Sequence, residues 1–453
     1  MPCKLRILLP GVCFLSLSVQ ATGILEIYAL AQQNDPTFLA AGQEKLAGEA
    51  NHAMGRSGLL PAISLSYQNG LKNWQTSKTP YSNQPFSQGT HWVTNHRQYQ
   101  SESGSLMLTQ PIFDYKAWAR YQTGKAQSLL SEASWHAKSM DLAVRVINNY
   151  LDVMLAKEQV DLLNQQQATW RQQLRQNQQM LRSGEGTLTE ITETESRLAL
   201  AEAEGTVAQD TLDKTRRQLE SLIGQSITSL SQLDQLASGP FKVHKLKPAS
   251  FDRWQQIALE KNAEMSAARQ QLHITQYQTE QQRADFLPVV QLYASQNINH
   301  SSSDTTINQR YETTSIGIRV NYSLYNGGYS SAAVKQASAL YNKSKYDLER
   351  ITLEALNNLH DFFNQCQHAD RRIVAYSQAL HAAELQVNAV QHGITAGQRT
   401  NVDLLNAQQQ LYHARVELIK EKYNYLRAWL MLLYHSGQLT PERVTELANY
   451  FTH

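Results

Sequence analysis

A seven-residue apolar repeat runs through the last quarter of the chain, and the same repeat stands 213 residues earlier. Leu404, Leu411, Leu418, Tyr425 and Leu432 recur every seven positions, with Ala407, Ala414, Glu421 and Ala428 three further on. Subtracting 213 gives Ile191, Leu198, Gly205, Leu212 and Leu219, followed by Thr194, Ala201, Ala208 and Thr215. A heptad draws a helix into a left-handed supercoil with its neighbours. Its recurrence in one register makes the chain an internal duplication.

The rest of the sequence repeats around that frame. Ile24 to Arg56 has helical spacing with a break at Asp35-Pro36, and Trp254 to Ala268 matches Ile27 to Ala41. Leu59-Leu60-Pro61 and Phe286-Leu287-Pro288 then switch the period from helix to strand. Ile63, Leu65 and Tyr67 alternate with Ser64, Ser66 and Gln68, and Ile316, Ile318 and Val320 alternate with Gly317, Arg319 and Asn321. Such alternation marks strands with one apolar and one polar face. A further strand is expected around Tyr99 to Thr109, and residues 70–96 and 299–308 read as polar loops.

Residues 115–182 contain no proline and one glycine, Gly124. A helix of that length is a rod on the order of 100 Å, longer than a single globular core requires. The predicted organisation is a signal at 1–21, a first repeat at 22–238, a linker at 239–248, a second repeat at 249–440 and a short helix at 441–453. Within the repeats, helices are expected at 115–182 and 188–223, then at 329–392 and 398–436. Each half has one helix near 65 residues and two near 35, so two short helices laid end to end match the long one. That arrangement puts both strand hairpins at one end of a helical assembly and both glycine turns at the other.

Composition narrows the class. A formal net charge of +2 lacks the basic excess of a nucleic-acid binder. Lys4 and Arg6, an apolar run from Ile7 to Val19 and Val19-Gln20-Ala21 read as a cleaved export signal. Cys3 and Cys13 would leave with it, so Cys366 alone excludes a disulfide framework in the mature chain. His360, His368, His381 and His392 never fall four apart, and no nucleophile elbow or phosphate loop is present. No enzyme, metal site or cofactor is expected.

No later stretch has 18 consecutive apolar residues, so a membrane assignment requires a barrel. Four strands cannot close one, but three chains would supply twelve, an even number suited to the outer membrane. Ile63, Leu65, Tyr67, Ile316, Ile318 and Val320 would then face lipid, and Ser64, Ser66, Arg319 and Asn321 water. The fold class is thus α+β, a helical barrel of long helices with a small transmembrane β-barrel. A surface coiled-coil stalk is the competing reading. It predicts heptads throughout and no amphipathic strands. A soluble periplasmic adaptor would need one helical hairpin, not two.

The signal, the Leu60-Pro61 and Leu287-Pro288 strand entries, the duplicated helix-strand-strand-helix order and the Gly397-x-Arg399-x-x-x-Asp403 turn resemble TolC-type outer-membrane efflux proteins. The resemblance spans Thr22 to Phe451. It implies a homotrimeric conduit from the outer membrane into the periplasm, serving efflux or type I secretion. It also implies a periplasmic adaptor (membrane fusion protein) and an inner-membrane transporter as partners. In that family the periplasmic end is constricted by acidic rings and polar links. Arg399 and Asp403 match that gate, Asn406 stands where a second acid often occurs, and Thr189 and Glu190 are the first-half equivalents. A Glu190–Arg399 lock is expected, with Gly184 and Gly397 at the adaptor contact. The residues around Cys13 match a lipidation signal poorly, which by analogy inclines the reading toward protein secretion.

Overall fold

The computed structural model describes residues 23–81, 91–227, 229–230, 233–237, 239–301 and 306–452. The predicted signal, with Cys3 and Cys13, lies outside them. The elements are α1 (Ile24–Asn34), α2 (Pro36–Ser57), β1 (Ala62–Tyr81), β2 (His91–Phe113), α3 (Tyr115–Arg182), α4 (Leu188–Ile223) and β3 (Gln235–Leu236). There follow α5 (Phe251–Lys261), α6 (Ala263–Arg283), β4 (Val289–His300), β5 (Arg310–Asn321), α7 (Tyr329–Thr395), α8 (Asn401–His435), α9 (Pro441–Ala448) and β6 (Phe451–Thr452). Helix, helix, strand, strand, long helix, heptad helix is therefore traversed twice.

Two compact units emerge. One comprises 42–136 and 263–353, the other 137–262 and 354–452 together with the described residues up to 41.

The first unit holds a four-stranded antiparallel sheet in the order β1-β2-β4-β5, so β1 and β5 are its edges. Residues 70–96 are not a loop: β1 continues to Tyr81 and β2 begins at His91. Neither face of this extension is apolar, which removed the alternation that identifies a strand. Pairing holds it nonetheless, with Thr76 opposite His96 and Ser77 opposite Asn95 beyond an irregularity between Gly70 and Asn73. The second inter-strand segment lies one to two residues later than expected, since β4 reaches His300 and β5 starts at Arg310. Residues 82–90 and 302–305 lie outside the described set. At the foot of the sheet α2 runs against α3 at very close range. A Cβ added to Gly124 would lie 2.4 Å from the Asn51 carbonyl, so only glycine permits that approach.

The second unit is centred on a core of Tyr150, Val153 and Met154 from α3, Tyr423, Leu426 and Leu433 from α8, Ile27 from α1 and Trp254 from α5. Burying each large side chain contributes about 1.5–3 kcal/mol. Two of the buried aromatics have their polar ends satisfied: Tyr150 donates to the Asp234 carbonyl at 2.6 Å, and the Trp254 indole to the Pro248 carbonyl at 2.7 Å. Burial along α4 and α8 follows the heptads. Ile191, Thr194, Ala201, Leu212 and Leu219 are buried, as are Leu404, Ala407, Leu418, Glu421, Tyr425, Ala428 and Leu432. Glu421 is tolerated in that seam because the Arg372 guanidinium meets it at 2.6 Å. The segment 239–248 is irregular, as expected, but β3 just before it pairs with β6 near the C-terminus. The expected C-terminal helix is therefore confined to α9.

Candidate gate at the helical turns

Helices α3 and α4, and α7 and α8, are joined by two turns of one design. Each long helix ends on a glycine in the left-handed region, Gly184 at φ 80° and Gly397 at φ 71°. In the first turn the Glu185 amide reaches back to the Met180 carbonyl, and the Gly184 amide to Leu181. In the second, Gln398 bonds to Gly393 and Gly397 to Ile394 in the same pattern. This nested pair of bonds satisfies carbonyls that a helix end leaves open, and it needs a left-handed residue that glycine adopts without strain. The long helix α7 runs to Thr395, three residues past its expected end.

Each following helix opens with a reciprocal cap. The Thr187 hydroxyl accepts the Glu190 amide while the Glu190 carboxylate accepts the Thr187 amide at 3.0 Å. Thr400 and Asp403 repeat the arrangement, also at 3.0 Å. These are capping boxes, T-x-x-E and T-x-x-D, which pair two otherwise open amides at once. Glu190 and Asp403 thus sit at corresponding places in the two turns.

The turns then diverge. The other Glu190 carboxylate oxygen accepts the Asn401 amide at 2.9 Å. The expected Glu190–Arg399 pair does not form within the chain, because Thr187 and Asn401 occupy the carboxylate. Arg399 is exposed, near enough to Asp403 to help lower its pKa. Asn406 accepts from Arg197 at 2.8 Å, and Arg197 also meets Glu193 at 3.2 Å. Thr189 is exposed. The structure therefore brings Glu190 and Asn406 onto contacts between α4 and α8, and leaves Thr189 and Arg399 at the surface.

Both tip acids hold their protons less readily than ordinary carboxylates. For Asp403 the Thr400 amide dominates, helped by the Thr400 hydroxyl. Burial pushes Glu190 up, but the Thr187 amide, the Asn401 side chain and the Thr187 hydroxyl together outweigh it and leave it lowered. Hydrogen bonds to the charged form stabilise that form.

Behind the turns, α3 and α4 share a buried polar ladder. Gln173 donates to Asn177 at 3.1 Å, and Asn177 donates to the Thr194 hydroxyl at 2.9 Å. Asn177 and Thr194 are almost fully buried. Next to them Trp170 packs on Ala201 and Leu405, joining α3 to both heptad helices. Asn401, Arg197 and this ladder were missed by sequence reasoning. The two capping boxes were missed as well, although T-x-x-E and T-x-x-D are short local motifs, whereas Asn401 lies 211 residues from its partner. Among the described residues no group of His, Cys, Asp and Glu could hold a metal ion.

On the sheet, Ile63, Leu65, Tyr67, Ile316, Ile318 and Val320 are each more than 60% exposed. Among the described residues no helix is long and apolar enough to cross a membrane.

The sequence matches the family described as outer membrane efflux protein over residues 27–225 and 254–438, one match for each half of the chain. The chain belongs to the outer membrane efflux protein family. Alkaline protease secretion protein AprF of Pseudomonas aeruginosa is 40% identical over 419 residues, covering 92% of this chain and 85% of that protein. Proteases secretion protein PrtF of Dickeya chrysanthemi is 34% identical, covering 96% and 92%. Outer membrane protein TolC of Escherichia coli is 25% identical, covering 96% and 86%. The fold matches the outer membrane protein VceC of Vibrio cholerae with a TM-score of 0.75 at 16% identity, over 91% of this chain and 96% of that one. This efflux-family protein is an outer-membrane exit duct that extends into the periplasm. Its family and structural neighbours are channels, not enzymes.

Proposed function

We propose that three copies of this chain form the exit duct of a type I secretion system for proteins. Each duct pairs with a periplasmic adaptor and an inner-membrane transporter. The observation that carries this reading is the sheet. A four-stranded sheet with two unpaired edges and a row of apolar side chains in the open cannot persist alone in lipid or in water. Three copies joined edge to edge satisfy every edge, place Ile63, Leu65, Tyr67, Ile316, Ile318 and Val320 against lipid, and leave the polar face to water. The secretion assignment is supported by the similarity to the protease secretion proteins AprF and PrtF.

The gate lies at the turns. Three copies of Asp403 around one axis favour cations and repel anions. The Glu190–Asn401 and Arg197–Asn406 bonds hold α8 against α4 and keep that ring narrow. Gly184 and Gly397 shape the surface offered to the adaptor. Conductance of the purified protein in planar bilayers, with Asp403→Ala beside it, tests the reading. Discrete cation-selective channels whose selectivity weakens in the variant are expected. A folded protein that stays in water without detergent returns the chain to the coiled-coil stalk.

A further inference from the structure

The register of the sheet assigns every paired side chain to one of two faces. Ile63, Leu108, Ala294 and Ile316 form one row across all four strands, and this row fixes the apolar face. The adjacent row on the other face is Ala62, Thr109, Tyr293 and Gly317, followed by Ser64, Met107, Ser295 and Ser315. Among the described paired positions, the charges on this polar face are Arg97, opposite Gln75, and Arg319, opposite Gln291. No acid shares it. Glu102 and Glu312 fall on the apolar side, where Arg310 meets Glu312 at 2.8 Å.

Arg319 is also seated. Its guanidinium carbon lies 4.9 Å from the centre of the Tyr293 ring. The ring can lie there because its cross-strand partner is Gly317, where a Cβ would come within 3.0 Å of the Tyr293 hydroxyl. An aromatic face beneath a cation holds it in place and leaves its outer side open to solvent. Tyr293, Gly317 and Arg319 thus make a platform that presents one positive charge from the polar face.

We propose that Arg319, carried on the Tyr293 ring, is an ion-selecting residue of the strand-walled part of the pore, favouring anions there. The proposal rests on the reading that three chains close a barrel with its polar face on water. A conduit with an acidic ring at its helical turns and basic residues along its strand wall has two opposed filters. Its net selectivity is set by their balance, not by Asp403 alone.

The experiment has two arms, both on the full-length assembled protein in lipid. In the first, reversal potentials are recorded across a potassium chloride gradient for wild type, Arg319→Gln and Arg319→Lys, each with and without Asp403→Ala. Arg319→Gln raises the cation-to-anion permeability ratio by roughly two-fold or more near 0.1 M salt and by less near 1 M, where the screening length falls from about 10 Å to about 3 Å. Arg319→Lys, which keeps the charge, stays close to wild type. In the second arm, Arg319→Cys and Ile318→Cys are labelled with a membrane-impermeant thiol reagent in proteoliposomes. The native Cys366 is buried and gives little background. Arg319→Cys labels and Ile318→Cys does not, whether the pore is open or closed. Equal labelling of the two overturns the barrel reading itself. Unequal labelling with an unchanged permeability ratio in Arg319→Gln overturns the Arg319 proposal and leaves the barrel intact.

Discussion

Removing the Glu190 carboxylate tests how the turns are held together. Glu190→Ala deletes three bonds, the acceptor for the Thr187 amide at 3.0 Å, for the Thr187 hydroxyl at 3.1 Å and for the Asn401 side-chain amide at 2.9 Å. A hydrogen bond to a charged group contributes about 1.5–3 kcal/mol, and a capping bond about 1 kcal/mol. Glu190 is only partly buried at the tip, so the low end applies and a local loss of about 2 kcal/mol is expected. Asn401→Ala alone costs about 1 kcal/mol, because water can take over the freed carboxylate oxygen. The double variant costs less than the two losses combined, by about 1 kcal/mol, since both single variants break the same bond. Hydrogen exchange of the amides at 188–194 is the assay. At 1.4 kcal/mol per ten-fold, Glu190→Ala accelerates it by roughly 30-fold. The pH dependence follows from the lowered folded pKa. The stabilisation is fully present above the unfolded carboxylate value of 4.5 and fades as pH falls through the lower folded value. Glu190→Ala has no such acid limb. Additive losses in the double variant, or an equal acceleration by Arg399→Ala, would refute the Glu190–Asn401 link as the lock.

Three further outcomes are expected. Because the Asp403 pKa is lowered by the Thr400 amide and hydroxyl, cation selectivity in bilayers persists below the usual aspartate range, and Thr400→Ala moves its loss toward neutral pH. Trp170→Ala empties the junction of Trp170, Ala201 and Leu405 and destabilises the assembled protein by about 3–5 kcal/mol in denaturant melts, whereas Trp170→Phe costs less. Glu158 is raised by burial and held down by the Tyr423 hydroxyl at 2.6 Å, so it stabilises best below its unfolded value of 4.5 and less as pH rises through the folded value. Tyr423→Phe removes that bond and steepens the loss of stability toward neutral pH. A pH profile of melting temperature parallel to wild type would contradict it.

Much of the fold was legible because long helices carry their period openly. The 68 residues of α3 follow the Gln110-to-Asp114 strand end and stop at the Ser183-Gly184 break, with no proline between. The heptads identified the buried side of α4 and α8 because a seven-residue pattern has one seam, whatever the polar face contains. The extension of β1 and β2 beyond Gly70 was not legible. With Thr76, Ser77, His96 and Asn95 on its two faces, it is a strand by backbone pairing alone, and single-residue character says nothing about pairing. The candidate gate divides in the same way. Glycine turns and capping boxes are local, so they can be read in order along the chain. The Asn401–Glu190 and Arg197–Asn406 bonds exist because two distant helices happen to run side by side, and no spacing announces them.

The two unpaired edges of the sheet also bear on inheritance. A strand edge that must be completed by a neighbour makes each copy answerable for the copies beside it. In the proposed assembly of three, one chain with a defective β1 or β5 edge would spoil the whole, so a cell making equal amounts of sound and defective chains would retain roughly one working duct in eight. Edge mutations should therefore act dominantly, while mutations in the core of a single chain, which remove that chain before assembly, should be recessive.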